Sequence, residues 1–308
     1  MTSDVCAANR VTVLMSTYNG CQFLQQQLDS LYAQTYPDVK ILVRDDGSSD
    51  ATRDLLAAEC AQGAIEQLAE HHNLGATGSF FALLRHAADT DTAYVAFCDQ
   101  DDVWQADKIA RAVALLSSAA NRPALYCSRL DIVDEQLQSL ELSAVPRKIG
   151  FGNALVENIA VGCTMVLNRK AIDLLCRQNL PSHVYVHDWW CYLVISCFGD
   201  IIFDDTALIK YRQHGGNVIG AATNHLGVLK RKVARLFNAR LWISEQASTF
   251  YELFAERMPP VERELLTTLC KAKSSFWYRL RLAFSPAVWR QKPVDNVILR
   301  LVILMNRI

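Results

Sequence analysis

Through the first 120 residues, short apolar runs rich in β-branched side chains alternate with stretches of helical period. Val11–Ser16, Val39–Arg44, Ile65–His71 and Ala93–Cys98 read as strands, and Cys21–Gln34, Ala51–Cys60, Gly78–Ala88 and Ala106–Ser117 as helices. This alternation predicts an α/β fold, a mostly parallel central sheet with helices on both faces. The second half is less regular. It predicts strands at Ala124–Ser128 and Val161–Leu167, a helix from Lys170 to about Gln178, another at His187–Cys197, and extended chain over Ile201–Arg212. Beyond about His225 the pattern turns helical and basic, so the expected division is an α/β body at 1–225 and a C-terminal helical extension at 226–308.

Composition sharpens that division. The 308 residues carry a net charge of −1, but residues 1–225 hold 16 Lys and Arg against 26 Asp and Glu, and residues 226–308 hold 15 against 6. An acidic body therefore carries a basic tail. With 51% hydrophobic residues the chain can bury a large core, which excludes a disordered polymer or a small disulfide scaffold. The ten cysteines are scattered without a C-x-x-C pair, which argues against a structural zinc site and for reduced core residues. The start shows no charged and then apolar leader, and the apolar stretch Val297–Met305 is broken by Arg300 and far short of the roughly 20 residues that span a bilayer. The expected location is cytoplasmic, with membrane contact from one side.

Polar clusters sit where the strands end. The first strand runs into Ser16-Thr17-Tyr18-Asn19-Gly20, the second into Asp45-Asp46-Gly47-Ser48, the third into Asn73-Leu74-Gly75 and the fourth into Asp99-Gln100-Asp101-Asp102. Each alone is good turn chemistry; four in succession fall along the sheet edge where such folds bind ligands. Three carboxylates in four residues repel one another unless a cation offsets them. Oxygen ligands of this kind suit Mg²⁺ or Mn²⁺ shared with a diphosphate. A helix N-terminus, which favours acidic residues, accounts for one of the three Asp residues.

Taken together, MSTYNG, VRDDGSSDAT, NLG and FCDQDDVW, in that order, resemble the family 2 glycosyltransferases of GT-A fold over about residues 10–215. CDQDDVW followed by GCTMVLNR, HDWW and YRQHGGNVIG is most similar to bacterial rhamnosyltransferases that build O-antigen and other surface polysaccharides from dTDP-L-rhamnose. Ala106 departs from the Pro that many members carry after the acidic segment. The resemblance implies nucleotide-sugar binding within about 10–120 and an acceptor half at about 121–225. It makes Ser16, Thr17, Tyr18 and Asn19 the base pocket, with Tyr18 stacking on the pyrimidine. Asp46, rather than Asp45, accepts the N3–H; Asn73 and Gly75 complete the nucleotide side. Asp101 is the metal ligand, with Asp99 beside the ribose or metal. Asp188 is the general base of an inverting reaction. Gly162, Cys163, Trp189 and Trp190 fall on the acceptor side, and His214 falls on a loop that closes over the metal or diphosphate. Helix capping by Asp188, and core packing by the two tryptophans, are the competing structural roles.

In the tail, Lys230, Arg231, Lys232, Arg235 and Arg240 lie among apolar residues, and Arg279 and Arg281 among Phe276, Trp277, Tyr278 and Phe284. Such helices favour an anionic membrane surface, where a polyprenyl-diphosphate-linked saccharide acceptor would reside, placing the protein on the inner face of the plasma membrane. A hairpin packed on the body, or a homodimer contact, is the alternative. No recognition motif supports nucleic-acid binding. Two other readings of the whole chain stand beside the rhamnosyltransferase: a UDP-glucosyl or UDP-galactosyl transferase of the same fold, and a non-catalytic membrane-surface scaffold. A phosphohydrolase would carry its D-x-D at the end of the first strand, not near residue 99.

Overall fold

The computed structural model describes residues 9–70, 72–177, 180–181, 184–213 and 242–308. The strands are β1 (Val11–Thr17), β2 (Val39–Asp45), β3 (Glu66–Gln67), β4 (Tyr94–Asp99), β5 (Val103–Trp104), β6 (Ala124–Val133), β7 (Ser139–Leu142), β8 (Val166–Asn168) and β9 (Asp200–Arg212). They form one sheet in the order β3-β2-β1-β4-β8-β6-β9-β5, with β7 paired to β6. The first four strands are parallel throughout, and β6 with β9 is the other parallel pair; β8, β5 and β7 run antiparallel to their neighbours.

The helices are α1 (Cys21–Tyr32), α2 (Thr52–Ala61), α3 (Gly75–Ala88), α4 (Lys108–Leu116), α5 (Phe151–Ala154), α6 (Arg169–Cys176) and α7 (His187–Phe198). Strand β1 shows why its sequence is continuously apolar. Val11, Val13 and Met15 pack with Leu24 and Leu28 of α1 and Ile109 of α4, whereas Leu14 packs with Phe80 and Leu84 of α3 on the other face. A strand covered on both faces has no polar side to present.

Two sequence expectations shift. The third strand shrinks to Glu66–Gln67, because it lies at the sheet edge and pairs only with Leu42 and Val43. The expected strand over 161–167 is a 3-10 turn at Gly162–Thr164 followed by the short β8. The C-terminal helices α8 (242–254), α9 (Pro260–Ala272), α10 (Phe276–Ala283) and α11 (Pro293–Leu304) share the core of the body. Trp190 of α7 meets Phe250 of α8 edge-on, with ring centroids 5.8 Å apart, and Leu266, Leu269, Val302 and Ile303 belong to the same buried cluster. Among the described residues no helix is long and apolar enough to cross a membrane.

Candidate active site

Register assembles the site before any side chain acts. Ser16 of β1 stands opposite Asp99 of β4, and Thr17 opposite Asp45 of β2, so three polar segments leave the sheet side by side. The loops are then cross-tied. Asn19 N–H donates to Ser48 Oγ at 2.9 Å and Gly20 N–H to Thr52 Oγ1 at 2.9 Å. Gln100, a residue that no sequence argument singled out, clamps Tyr18 from both sides: its Oε1 accepts the Tyr18 N–H at 2.9 Å, and its Nε2 donates to the Tyr18 carbonyl at 3.0 Å. The clamp lies so near the chain that a Cβ on residue 20 would fall 2.1 Å from Gln100 Oε1. Tyr18 is held by its backbone with its ring in solvent, open to a stacking partner.

The two acidic residues after β2 have different work. Asp45 is buried and saturated: Oδ1 accepts from the hydroxyls of Thr17 (3.0 Å) and Ser48 (2.5 Å), and Oδ2 from the Ser48 N–H (2.9 Å) and Gly47 N–H (3.2 Å). It holds the turn and has no oxygen to offer a ligand, a correction to its placement among nucleotide-binding residues. Asp46 takes both its contacts on Oδ1, from Arg44 at 2.5 Å and the Leu74 N–H at 2.7 Å. Its Oδ2 carries no hydrogen bond among the described residues. Arg44, fully buried beneath, fixes the carboxylate in place. Asn73 is likewise structural in part, donating to the Asp46 carbonyl at 3.0 Å and accepting the Gly75 N–H at 3.1 Å. Ser16 and Thr17 are also engaged, donating their hydroxyls to Ser79 and Asp45.

The acidic turn after β4 is the most charged part of the edge. Asp99 and Asp101 are half-buried and Asp102 fully buried. Oxygens of Asp99 and Asp102 and the Cys163 sulfur all lie within 4.8 Å of one another. Burial raises the Asp99 carboxyl above its ordinary range, and the charges of Asp101 and Asp188 raise it further. Asp102 is raised well above that range, first by burial and then by Asp99 and Asp101. Its Oδ1 accepts the Arg212 N–H at 3.2 Å, while Oδ2 is buried without a well-formed hydrogen bond. A carboxylate cluster that keeps one buried oxygen, Oδ2 of Asp102, without a full partner fits a divalent cation. Hard cations prefer the carboxylates, so Cys163 is a neighbour here and not a ligand. That corrects Cys163 as an acceptor-floor residue: it is 1% exposed and lies beneath the acidic turn.

Two buried basic side chains, neither named as a site residue from the sequence, lie beside this turn. Arg212 at the end of β9 donates through Nε to the Asp101 carbonyl at 2.8 Å and through Nη2 to Gln26 at 2.5 Å. Lys108 at the start of α4 is fully buried over the Trp104 ring, and burial lowers its ammonium to about 7 against the pull of Cys98, Cys163 and Asp102. A lysine at the start of α4, four residues after Trp104 of β5, reads as surface; only the tertiary fold turns it inward.

Asp188 stands in the first turn of α7. Its Oδ1 accepts the Trp189 N–H at 2.6 Å and its Oδ2 the Gly162 N–H at 3.0 Å. Burial raises the carboxyl to about 6, overriding these backbone donors, which act to lower it. The neighbouring His187 is stacked on Phe80, and burial lowers its imidazole to about 3, making it a weak base. Gly162 lies against both residues, which makes it a support for Asp188. The tryptophans are corrected as well. Trp190 is 1% exposed among Phe250 and Phe254, and Trp189 is buried with its Nε1 donating to the Ala154 carbonyl at 2.6 Å, so neither offers a ring face to a sugar. His214 and the basic residues at 230–240 lie outside the described residues.

The comparisons with known proteins agree with this geometry. The family model described as "Glycosyl transferase family 2" matches residues 12–173. The chain is similar to the dTDP-rhamnosyl transferase RfbG of Shigella flexneri, 26% identical over 237 residues that cover 70% of this chain and 77% of that one. It is also similar to the UDP-Glc:alpha-D-GlcNAc-diphosphoundecaprenol beta-1,3-glucosyltransferase WfgD of Escherichia coli, 29% identical over 191 residues, 62% of this chain and 70% of the relative. In fold it matches S. aureus TarS 1-349, solved in complex with UDP-GlcNAc, at a TM-score of 0.56 and 14% identity over 96% of this chain and 90% of the other. The mannosyltransferase PcManGT from Pyrobaculum calidifontis, solved with GDP-Man and Mn²⁺, matches at a TM-score of 0.50 and 18% identity over 96% and 87%.

Proposed function

The chain belongs to glycosyl transferase family 2 and has the GT-A fold, and from that premise we propose an inverting, metal-assisted enzyme that moves L-rhamnose from dTDP-L-rhamnose onto a lipid-linked saccharide of a surface polysaccharide such as O-antigen. The observation that carries this reading is the convergence of Asp99, Asp101 and Asp188: two carboxylates from the fourth strand's end and one from α7, near enough that the Asp188 charge raises the Asp99 carboxyl.

In this reading the exposed Tyr18 ring stacks on the pyrimidine, and the open Oδ2 of Asp46 accepts its N3–H, which thymine and uracil possess and cytosine lacks. Asp99 and Asp101 would hold Mg²⁺ or Mn²⁺, with Asp102 beneath them. When bound, such a cation neutralises the diphosphate and the charge that develops on the departing nucleotide. Asp188 accepts the proton of the acceptor hydroxyl as that oxygen bonds to the anomeric carbon and the bond to the diphosphate oxygen breaks on the opposite face. A β-linked rhamnosyl donor thus gives an α-L-rhamnoside. Residues 1–225 carry this chemistry, and the basic region at 226–308 keeps the active site near an anionic membrane on which a polyprenyl-diphosphate-linked acceptor is found.

A UDP-hexose donor is the second reading, favoured by the comparable similarity to the UDP-Glc-dependent relative. Product analysis with a panel of dTDP- and UDP-sugars and lipid-linked acceptors tests both: α-rhamnoside from dTDP-L-rhamnose supports the first, and product from UDP-glucose or UDP-galactose alone replaces it with the second.

A further inference from the structure

We propose that helices α10 and α11 form a membrane-docking face, in which exposed apolar stripes enter the interface of an anionic bilayer and the adjoining cleft of Arg147, Lys148, Arg290 and Arg300 receives lipid phosphates. This deepens the membrane contact of the functional reading, on which it rests for its purpose, by naming the surface.

Helix α11 is apolar on two sides. Leu299, Val302 and Ile303 are buried in the shared core, whereas Val294, Val297, Leu301 and Met305, spaced three or four residues apart, lie on one other face and are each more than half exposed. On α10, Phe276 and Trp277, with Phe284 at its C-cap, are also more than half exposed, Trp277 reaching 76%. Isolated exposed hydrophobes need no explanation, but ordered stripes on two packed helices mark an interaction surface.

Charge selects the occupant. Residues 271–308 hold eight Lys and Arg against one acidic residue, Asp295. A second copy of the chain on this face would oppose like charge with like charge, whereas anionic headgroups neutralise it. The cleft beside α11, about 430 Å³, is lined by Arg147, Lys148, Arg290, Arg300, Gln291 and Asn296. Glu157, 3.6 Å from Arg290, pairs with that one cation, Arg300 donates to the Ala283 carbonyl, and Lys148 rests 3.9 Å above the Trp289 ring. A second cavity of about 410 Å³ shares Lys148 and Trp289 with the first and is of mixed character, lined by Phe151, Val261 and Leu265 together with Glu262 and the ion pair of Glu264 with Arg281. Aromatic side chains with flanking cations are the composition that lies in a bilayer interface without crossing it.

The test uses the full chain with vesicles of phosphatidylcholine, with and without phosphatidylglycerol, read by co-sedimentation and Trp fluorescence. The chain is expected to bind only the anionic vesicles, and added salt to weaken binding. Trp277→Ala combined with Phe284→Ala should reduce partitioning by about tenfold or more, and Arg147→Gln or Lys148→Gln by about fivefold each, equivalent to roughly 1 kcal/mol per cation. Equal binding to both vesicle types, undiminished binding by these variants, or a lipid-free dimer that Trp277→Ala dissociates would each overturn the proposal. Nucleotide-sugar binding is measured on the same samples. Donor binding without vesicle binding removes the docking face alone, and vesicle binding without donor binding removes the enzymatic reading alone.

Discussion

The backbone N–H of Gly162 donates to Oδ2 of Asp188 at 3.0 Å, and a Cβ placed on residue 162 would come within 2.9 Å of His187 Nε2. With Oδ1 held by the Trp189 N–H, the carboxylate is fixed in rotation by two backbone donors. Gly162→Ala must displace His187 or Asp188, and if Asp188 is the general base, as proposed, moving it by a fraction of an ångström costs rate more than substrate affinity. The variant should lower kcat by about tenfold to a hundredfold with donor affinity unchanged, measured by steady-state kinetics beside donor titration.

The raised carboxyl of Asp188 sets a pH dependence. A general base works deprotonated, so kcat/KM should rise through about pH 6 and level above it. Asp188→Asn should abolish transfer over the whole range while leaving donor binding intact. The same shift carries a stability sign. Because the folded carboxyl keeps its proton to a higher pH than the ordinary 3.8, its contribution favours the fold at low pH and is lost as pH rises through about 6. Acid titration of Tm on wild type and Asp188→Asn checks this.

Adjacent residues Asp45 and Asp46 should fail differently. Asp45→Asn puts an NH₂ group where Oδ1 or Oδ2 accepts two hydrogen bonds, loosening the Gly47–Ser48 turn and its tie to Thr17, and is expected to cost about 1–3 kcal/mol of stability. Asp46→Ala leaves Arg44 buried and unpaired, a loss of about 3–5 kcal/mol. Asp46→Asn is the sharper variant for function, since its amide can still meet the Leu74 N–H through oxygen yet presents a donor to the base; it should weaken binding of uracil and thymine nucleotides. Chemical denaturation and nucleotide titration separate the two effects.

How much of this was legible beforehand follows from where the information resides. The parallel sheet was readable because each buried strand is apolar on both faces, as β1 is, and because polar clusters follow the first, second and fourth strands. What sequence could not give is which polar residues spend their hydrogen bonds on the protein itself. Asp45 and Asp46 are adjacent carboxylates in the same turn, and only the three-dimensional positions of Thr17, Ser48 and Arg44 tell them apart. Lys108 and Gln100 escaped notice for the same reason: a lysine or glutamine after an acidic turn reads as solvated until α4 and the β1 loop close over it. Trp189 and Trp190 show the converse, since an aromatic pair beside a candidate base suggests sugar stacking, but α8 covers Trp190 with Phe250 and Phe254, and Trp189 is buried against Tyr185 with its Nε1 on the Ala154 carbonyl.

That burial predicts a purely structural cost. Trp190→Ala should destabilise the protein by about 3–5 kcal/mol, and where enough folded protein remains, its acceptor KM should match wild type. A raised acceptor KM at wild-type stability would return Trp190 to the acceptor site.

The central claim is that the acidic turn holds a divalent cation and, with it, a pyrimidine diphospho-sugar. Calorimetric titration of dTDP-L-rhamnose and UDP-glucose into wild type and Asp101→Ala, with and without Mn²⁺, tests it most directly. The account predicts Mn²⁺-dependent binding of at least one donor to wild type and its loss in Asp101→Ala. Binding indifferent to both Mn²⁺ and Asp101, or no binding of either donor with Mn²⁺ present, would contradict it.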